Sequence, residues 1–170
     1  MKCVSTDKLQ LFNKLKQKFI YVGKAKLSLN ADKWTILYTN NNLIKTNKNN
    51  RIYIIVVNDV IKKIGSSCAK SGIRDTFRHY INPGNSASVR SRGIHQLILK
   101  ELQQKNRVDF YCRYNKPKKE IIQGLTTNIE INVCSNILHT EKRCLQDYYD
   151  HFHRFPDWNY KENNKKWILN

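Results

Sequence analysis

Six consecutive residues, Ile52-Tyr53-Ile54-Ile55-Val56-Val57, constrain this chain more than any other stretch. All are β-branched or aromatic, which suits a pleated strand and disfavours a helix. They are apolar on both faces, so the strand belongs in the middle of a sheet, covered on each side. Asn58-Asp59 breaks the run, and Val60 to Ile64 returns as a second strand. Gly65-Ser66-Ser67 ends that hairpin.

The rest of the chain is arranged around this hairpin. A helix is expected over residues 69–81, with Ile73, Phe77 and Ile81 on one stripe and Lys70, Arg74 and Arg78 on another. Residues 82–93 are small and polar and read as a loop carrying Arg90 and Arg92. A second helix is expected over 93–104, from the spacing of Ile94, Leu97, Ile98 and Leu102. Arg107 to Tyr114 alternates as a third strand, residues 115–136 carry no clear period, and a last helix is expected over 141–153. Upstream, Asp7 is placed to cap a helix over 7–19, residues 33–39 read as a strand, and the Asn-, Lys- and Thr-rich stretch 40–50 reads as a loop. This pattern predicts an α+β protein with a small, mostly antiparallel three-stranded sheet flanked by helices. It divides into an N-terminal helical and strand arm (1–50), a core (51–160) and a basic tail (161–170).

Composition narrows the partner. Lysines and arginines number 31 against 13 acids, a net charge of +18. An AT-rich genome also raises Lys, but it raises the acidic residues nearly as much, and here they are scarce. A polyphosphate partner accounts for the excess, because each neutralised phosphate releases counterions. The basic residues are spread over several segments and not gathered on one amphipathic helix, which argues against a membrane surface. No run of about 18 apolar residues is present, and the first residues lack the apolar stretch of a signal peptide, so a cytoplasmic location is expected. The five cysteines form no C-x-x-C pair and read as reduced thiols. His151-x-His153, with His139 upstream, has no cysteine at ligand spacing and makes a poor zinc pattern.

Three positions carry candidate chemistry. Counting back four from Leu145 places Glu141 on the apolar stripe of the last helix with Tyr148 and Phe152, where a carboxylate is costly unless paired or bound to metal. The alternative is that Glu141 stands in the first helical turn, favoured by the dipole, with Thr140 as cap. Tyr53 and Lys63 lie on the two hairpin strands. A simple two-residue turn at Asn58-Asp59 pairs Tyr53 with Ile64 and puts Tyr53 and Lys63 on opposite faces. An odd loop or a bulge near 57–60 brings them together, since one register step flips every side chain. Arg74 opens the helix after the second strand and suits bidentate contact with a phosphate; otherwise it belongs to a solvated face beside Arg78.

Taken together, these residues resemble the GIY-YIG nuclease family. The first triplet reads Arg51-Ile52-Tyr53 and the second Lys63-Ile64-Gly65; Arg74 follows at the expected distance, Glu141 leads the late helix, and Pro156 to Asn159 resembles the Pro-x-x-Asn that follows it. Arg51 stands where the family has Gly, and Lys63 where it has Tyr. The small type II restriction endonucleases of this family include a type with a Lys-Ile-Gly triplet, a similar length and an N-terminal arm. The resemblance covers most of residues 51–160.

The resemblance implies a site-specific double-stranded DNA endonuclease. One divalent cation, Mg²⁺ with Mn²⁺ as a substitute, would bind Glu141 and a phosphate oxygen. Tyr53 would take a proton from the attacking water, Lys63 would supply a cation beside it, and Arg74 would offset charge on the phosphate. Ser66 would hydrogen-bond near the site and Asn159 would brace it. Arg78, Arg90 and Arg92 are the expected DNA contacts. A homodimer is expected, because a palindromic site mirrors two-fold symmetry, and a cognate DNA methyltransferase would protect the host. The competing readings are a repair or mobile-element nuclease of the same family and a nucleic-acid-binding protein without catalysis.

Overall fold

The inner strand is buried at every one of its positions, as its sequence demands, because helices cover both faces of the sheet that contains it. The computed structural model describes Asn13 and residues 17–84, 87–123, 125–133 and 136–167. The elements run β1 (Ile20–Leu27), β2 (Trp34–Tyr38), α1 (Asn42–Thr46), β3 (Arg51–Val57), β4 (Val60–Ser67), α2 (Ile73–Ile81), α3 (Val89–Gln103), β5 (Val108–Tyr114), β6 (Lys118–Gln123), β7 (Asn128–Val133) and α4 (Ile137–Phe152). The main sheet has five strands in the order β2-β1-β5-β3-β4, with every pairing antiparallel. The expected three-stranded sheet is therefore too small. The two further strands come from residues 20–38, and β1 hydrogen-bonds directly to β5.

Alternate side chains of β3 point to two separate cores. Tyr53, Ile55 and Val57 pack with Phe110, with Ile73 and Phe77 of α2 and with Ile94 and Ile98 of α3. Ile52, Ile54 and Val56 pack with Ile61, Ile64, Tyr111 and, from α4, Leu145 and Tyr148. Each buried aliphatic side chain contributes about 1.5–3 kcal/mol, so this one strand anchors both layers.

The hairpin turn is a two-residue connection in which Asn58 and Asp59 both take positive φ (45° and 64°), the backbone of a primed turn that matches strand twist. Asn58 Oδ1 accepts from Arg107 N at 2.9 Å, which ties the turn to the start of β5.

Several expected boundaries shift. Helix α2 begins at Ile73 and not at 69. Helix α3 begins at Val89, capped by Ser88, so Arg90 and Arg92 stand on a helix and not in a loop. Helix α4 begins at Ile137 because Asn136 accepts from Leu138 N at 3.0 Å; Thr140 is inside the helix and does not cap it. Glu141 therefore stands in the second turn. Strand β4 runs on to Ser67. The stretch 40–50 holds the short helix α1, and the unassigned stretch 115–136 holds the β6–β7 hairpin. The expected helix over 7–19 falls largely outside the described residues, with Asn13 helical and 17–19 in a turn and bend.

Candidate active site

A β-bulge decides the site. Ile55 pairs with Lys63, yet Val56 pairs with Ile61, so Lys62 is an extra residue in β4. The extra residue returns the register of Lys63 to the face of Ile55 and Tyr53 in spite of the two-residue turn. This meets the condition set by the sequence, with the bulge two residues beyond the expected window. Bulges re-aim side chains in this way near functional sites.

Tyr53 pairs with Gly65, and its ring lies across that glycine. A Cβ added at Gly65 would stand 2.5 Å from Tyr53 Cζ and Oη, so no larger residue fits under the ring. Phe77 meets Tyr53 edge-on at 5.4 Å between centroids. The Tyr53 hydroxyl is 2.6 Å from the hydroxyl of Tyr80 at the end of α2. The sequence reading missed Tyr80, although its place three residues after Phe77 on the apolar stripe marks it as inward-facing.

Strand β4 is an edge of the sheet, and its next residue, Ser66, projects to the α4 side. Its hydroxyl donates to Glu141 Oε2. Glu141 sits one turn above buried Leu145, half-exposed where the apolar stripe meets solvent. The open backbone edge of β4 is closed by the segment after α4. Ile64 N donates to Asn159 Oδ1 at 2.9 Å, and Asn159 Nδ2 donates to Ile64 O at 3.0 Å. Trp158 N donates to Lys62 O at 2.8 Å, and Lys62 Nζ pairs with Asp157 at 2.7 Å. Asn159 thus clamps the middle residue of the Lys63-Ile64-Gly65 triplet.

A small cleft of about 60 Å³ is lined by Lys63, Arg90, Glu141, Trp158, Asn159 and Tyr160 among others. The electrostatics follow from burial. Desolvation pushes the Tyr53 phenol well above its ordinary range; the hydrogen-bonded Tyr80 adds to this, Arg90 opposes it, and Glu141 raises it further. Lys63 is brought down to about 8, first by burial and then by Arg90, against the pull of Glu141 and Glu162. Burial raises Tyr80 as well.

The structure gathers Tyr53, Lys63, Ser66, Glu141 and Asn159, and adds Arg90 from the first turn of α3. It does not gather Arg74. That side chain is exposed at the start of α2, with its guanidinium 4.7 Å from the Tyr38 ring centroid. Arg78 is exposed and pairs with Asp75 at 2.5 Å. Arg92 is half-buried, and its Nε has no hydrogen-bond partner among the described residues. Among the described residues no three His, Cys, Asp or Glu side chains gather into a metal cluster, so the His151 and His153 pattern forms no such group.

The α+β arrangement, a five-stranded antiparallel sheet with helices on both faces, is a GIY-YIG-like nuclease fold. The structure of a bacteriophage T4 EndoII mutant superposes on 86% of this chain and 95% of its own, with a TM-score of 0.51 and 20% identity. Restriction endonuclease HPY188I in complex with product DNA matches over 92% of this chain and 91% of its own, with a TM-score of 0.46 and 16% identity. No family model and no curated protein matches the sequence.

Proposed function

We propose that this protein is a metal-dependent endonuclease that hydrolyses phosphodiesters in double-stranded DNA. The observation that carries the reading is the bulge at Lys62, which sets Lys63 on the face of Tyr53, at a cleft shared with Glu141. A buried lysine, a buried tyrosine and a half-buried carboxylate are expensive to bring together for stability alone. The +18 charge supports a polyphosphate substrate.

Magnesium suits this site. It takes one or two carboxylates and completes its shell with water and substrate oxygens, so the half-exposed Glu141 at a polar cleft is a sufficient protein ligand. When bound, the ion supplies Lewis-acid polarisation of the phosphate and neutralises charge. The chain's own residues do the rest. Ser66 holds the Glu141 carboxylate in place. Tyr53, as phenolate, accepts a proton from water; the water oxygen bonds to phosphorus, one ester P–O bond breaks, and the leaving oxygen takes a proton from solvent. A phenolate forms at neutral pH only with cations beside it, and Lys63 and Arg90 are those cations. Below its value of about 8, Lys63 is charged and serves this role. Arg90, on the cleft wall, also meets the phosphate. Arg74 reaches the phosphate after leaving the Tyr38 ring, a contact worth only about 0.5–1 kcal/mol at an exposed site.

Within this reading the protein is a restriction-type enzyme acting as a homodimer on a two-fold symmetric site, with Arg78, Arg90 and Arg92 as DNA contacts and a cognate methyltransferase in the same system. Among the described residues no helix is long and apolar enough to cross a membrane.

The test is incubation of a mixed-sequence plasmid with the protein, with and without Mg²⁺, beside Glu141→Ala. Discrete bands that need both the ion and Glu141 support a site-specific endonuclease. A smear points to a less specific nuclease on the same fold. Salt-sensitive retardation without cleavage would leave a binding protein.

A further inference from the structure

We infer that Tyr80 is a positioning residue for Tyr53, its hydroxyl replacing the second tyrosyl hydroxyl that the Lys63 substitution removes from the strand. The inference rests on the nuclease reading above and assigns a residue outside both triplets.

The geometry is specific. The two hydroxyls are 2.6 Å apart, at the short end of the range for O–H···O bonds, and both tyrosines are only 4% exposed. Their rings meet at 60° with centroids 6.3 Å apart, and Phe77 packs against both. Tyr80 is itself anchored: its backbone carbonyl is 2.8 Å from His95 Nδ1, which ties the end of α2 to α3. The Tyr53 hydroxyl is thus held from one side by Tyr80 and supported beneath by Gly65.

This arrangement has a chemical consequence. In the neutral pair either hydroxyl donates. Once Tyr53 is a phenolate it can only accept, and Tyr80 is the buried donor in place to meet it. In the neutral pair Tyr80 raises the Tyr53 phenol, so favouring the charged form falls to the cations, and what Tyr80 supplies is position. It fixes the direction of the remaining lone pair, the one that takes the proton from water. The groups that act electrostatically on Tyr53 are Tyr80 on α2, Arg90 on α3 and Glu141 on α4, with Lys63 on the same face of the hairpin and Cys112 paired beside it on β5. Of these, Tyr80 alone hydrogen-bonds to its hydroxyl among the described contacts. A tyrosine that only filled the core would work equally well as phenylalanine.

The experiment is a double-mutant cycle with Tyr53→Phe, Tyr80→Phe and the double variant, in single-turnover cleavage of plasmid DNA with Mg²⁺ over pH 6–10. Expected for Tyr80→Phe is a fall in the cleavage rate constant on the order of tenfold to a hundredfold, within the range general-base catalysis supplies. DNA affinity and the circular dichroism spectrum stay as in the wild type, and the rising limb of the pH–rate profile moves down, because Tyr80 raises the Tyr53 phenol. In the Tyr53→Phe background, Tyr80→Phe has no further effect, because the two act as a unit. A Tyr80→Phe enzyme with wild-type rate and profile, beside an inactive Tyr53→Phe, overturns this inference and leaves the nuclease reading standing. Additive losses in the double variant also overturn it. Full activity in both Tyr53→Phe and Glu141→Ala, or no cleavage by the wild type, overturns the nuclease reading and this inference together.

Discussion

Asn159 is the most exposing test of how the site is held. Its amide is 2% exposed and makes two hydrogen bonds to one residue, accepting from Ile64 N and donating to Ile64 O. Asn159→Ala removes both partners while leaving both backbone groups buried beneath Trp158 and the 156–163 turn. Each buried polar group left unpaired costs about 1–3 kcal/mol, so two cost on the order of 2–6 kcal/mol, with ~4 kcal/mol as the central expectation. For a chain of this size each kcal/mol lowers Tm by about 2–4 °C, which gives a drop of roughly 8–16 °C. Asn159→Asp keeps the acceptor and loses the donor, and should fall between. Urea titration followed by circular dichroism measures the loss, and cleavage assays measure the effect on the triplet, whose Lys63 and Gly65 flank the clamped residue. An Asn159→Ala protein within 1 kcal/mol of wild type, with normal cleavage, would show that the edge of β4 holds its register without the clamp.

Other expectations follow from the same geometry. Glu141→Gln should lower cleavage at least about a thousandfold, as loss of a principal electrostatic group does, while gel-shift affinity for DNA measured without metal is retained. Lys63 titrates near 8 in the fold against an ordinary 10.5, so folding disfavours its charged form. The penalty is full below pH 8 and fades as pH rises toward 10.5. Lys63→Met should therefore be more stable at pH 7 by up to roughly 3 kcal/mol, converted at 1.36 kcal/mol per pH unit. In chemical denaturation that gain should shrink as pH is raised, and the variant should not cut. Gly65→Ala must push the Tyr53 ring aside and should cost about 1–3 kcal/mol in stability and most of the activity. Arg90→Ala should reduce the salt slope of DNA binding by about one, read from affinity over a range of salt concentrations.

The physics of single strands made the centre of this protein legible. The run Ile52 to Val57 called for a buried inner strand, and the Asn58-Asp59 pair marked where it breaks, with the length of the connection left open. The period-2 argument then turned the placement of Lys63 into a yes-or-no structural question. The answer needed the bulge at Lys62, and bulges leave little local trace, because the extra residue is an ordinary lysine that reaches solvent and Asp157. Strand β1 was missed because Gly23, Lys24 and Lys26 interrupt the apolar pattern on its half-exposed faces. The start of α4 was placed too late because Thr140-Glu141 looks like a cap, while the working cap, Asn136, lies in a stretch without period. Arg90 and Arg92 were assigned to a loop because residues 82–93, Gly93 included, are small and polar. Gly93 is instead buried within α3 under the Trp167 ring. Tyr80 went unread because helical spacing marks a residue as inward-facing but does not say which hydroxyl it will meet.

The closure of the β4 edge by Asn159 also sets a clock. The pieces of the site are made in the order Tyr53, Lys63 to Ser66, Glu141 and Asn159, and a ribosome reads them at about 5–20 residues per second. The triplets are finished first, and the carboxylate and the clamp follow roughly 5–20 s later at that pace. A truncated or unfinished chain that ends before Glu141 contains both tyrosines, the lysine and the whole five-stranded sheet. It lacks the Glu141 carboxylate and has an open strand edge where the clamp should lie. On the proposed reading, synthesis itself keeps the site unassembled until residue 159 has been made, and protein-quality control has that interval in which to remove a faulty copy.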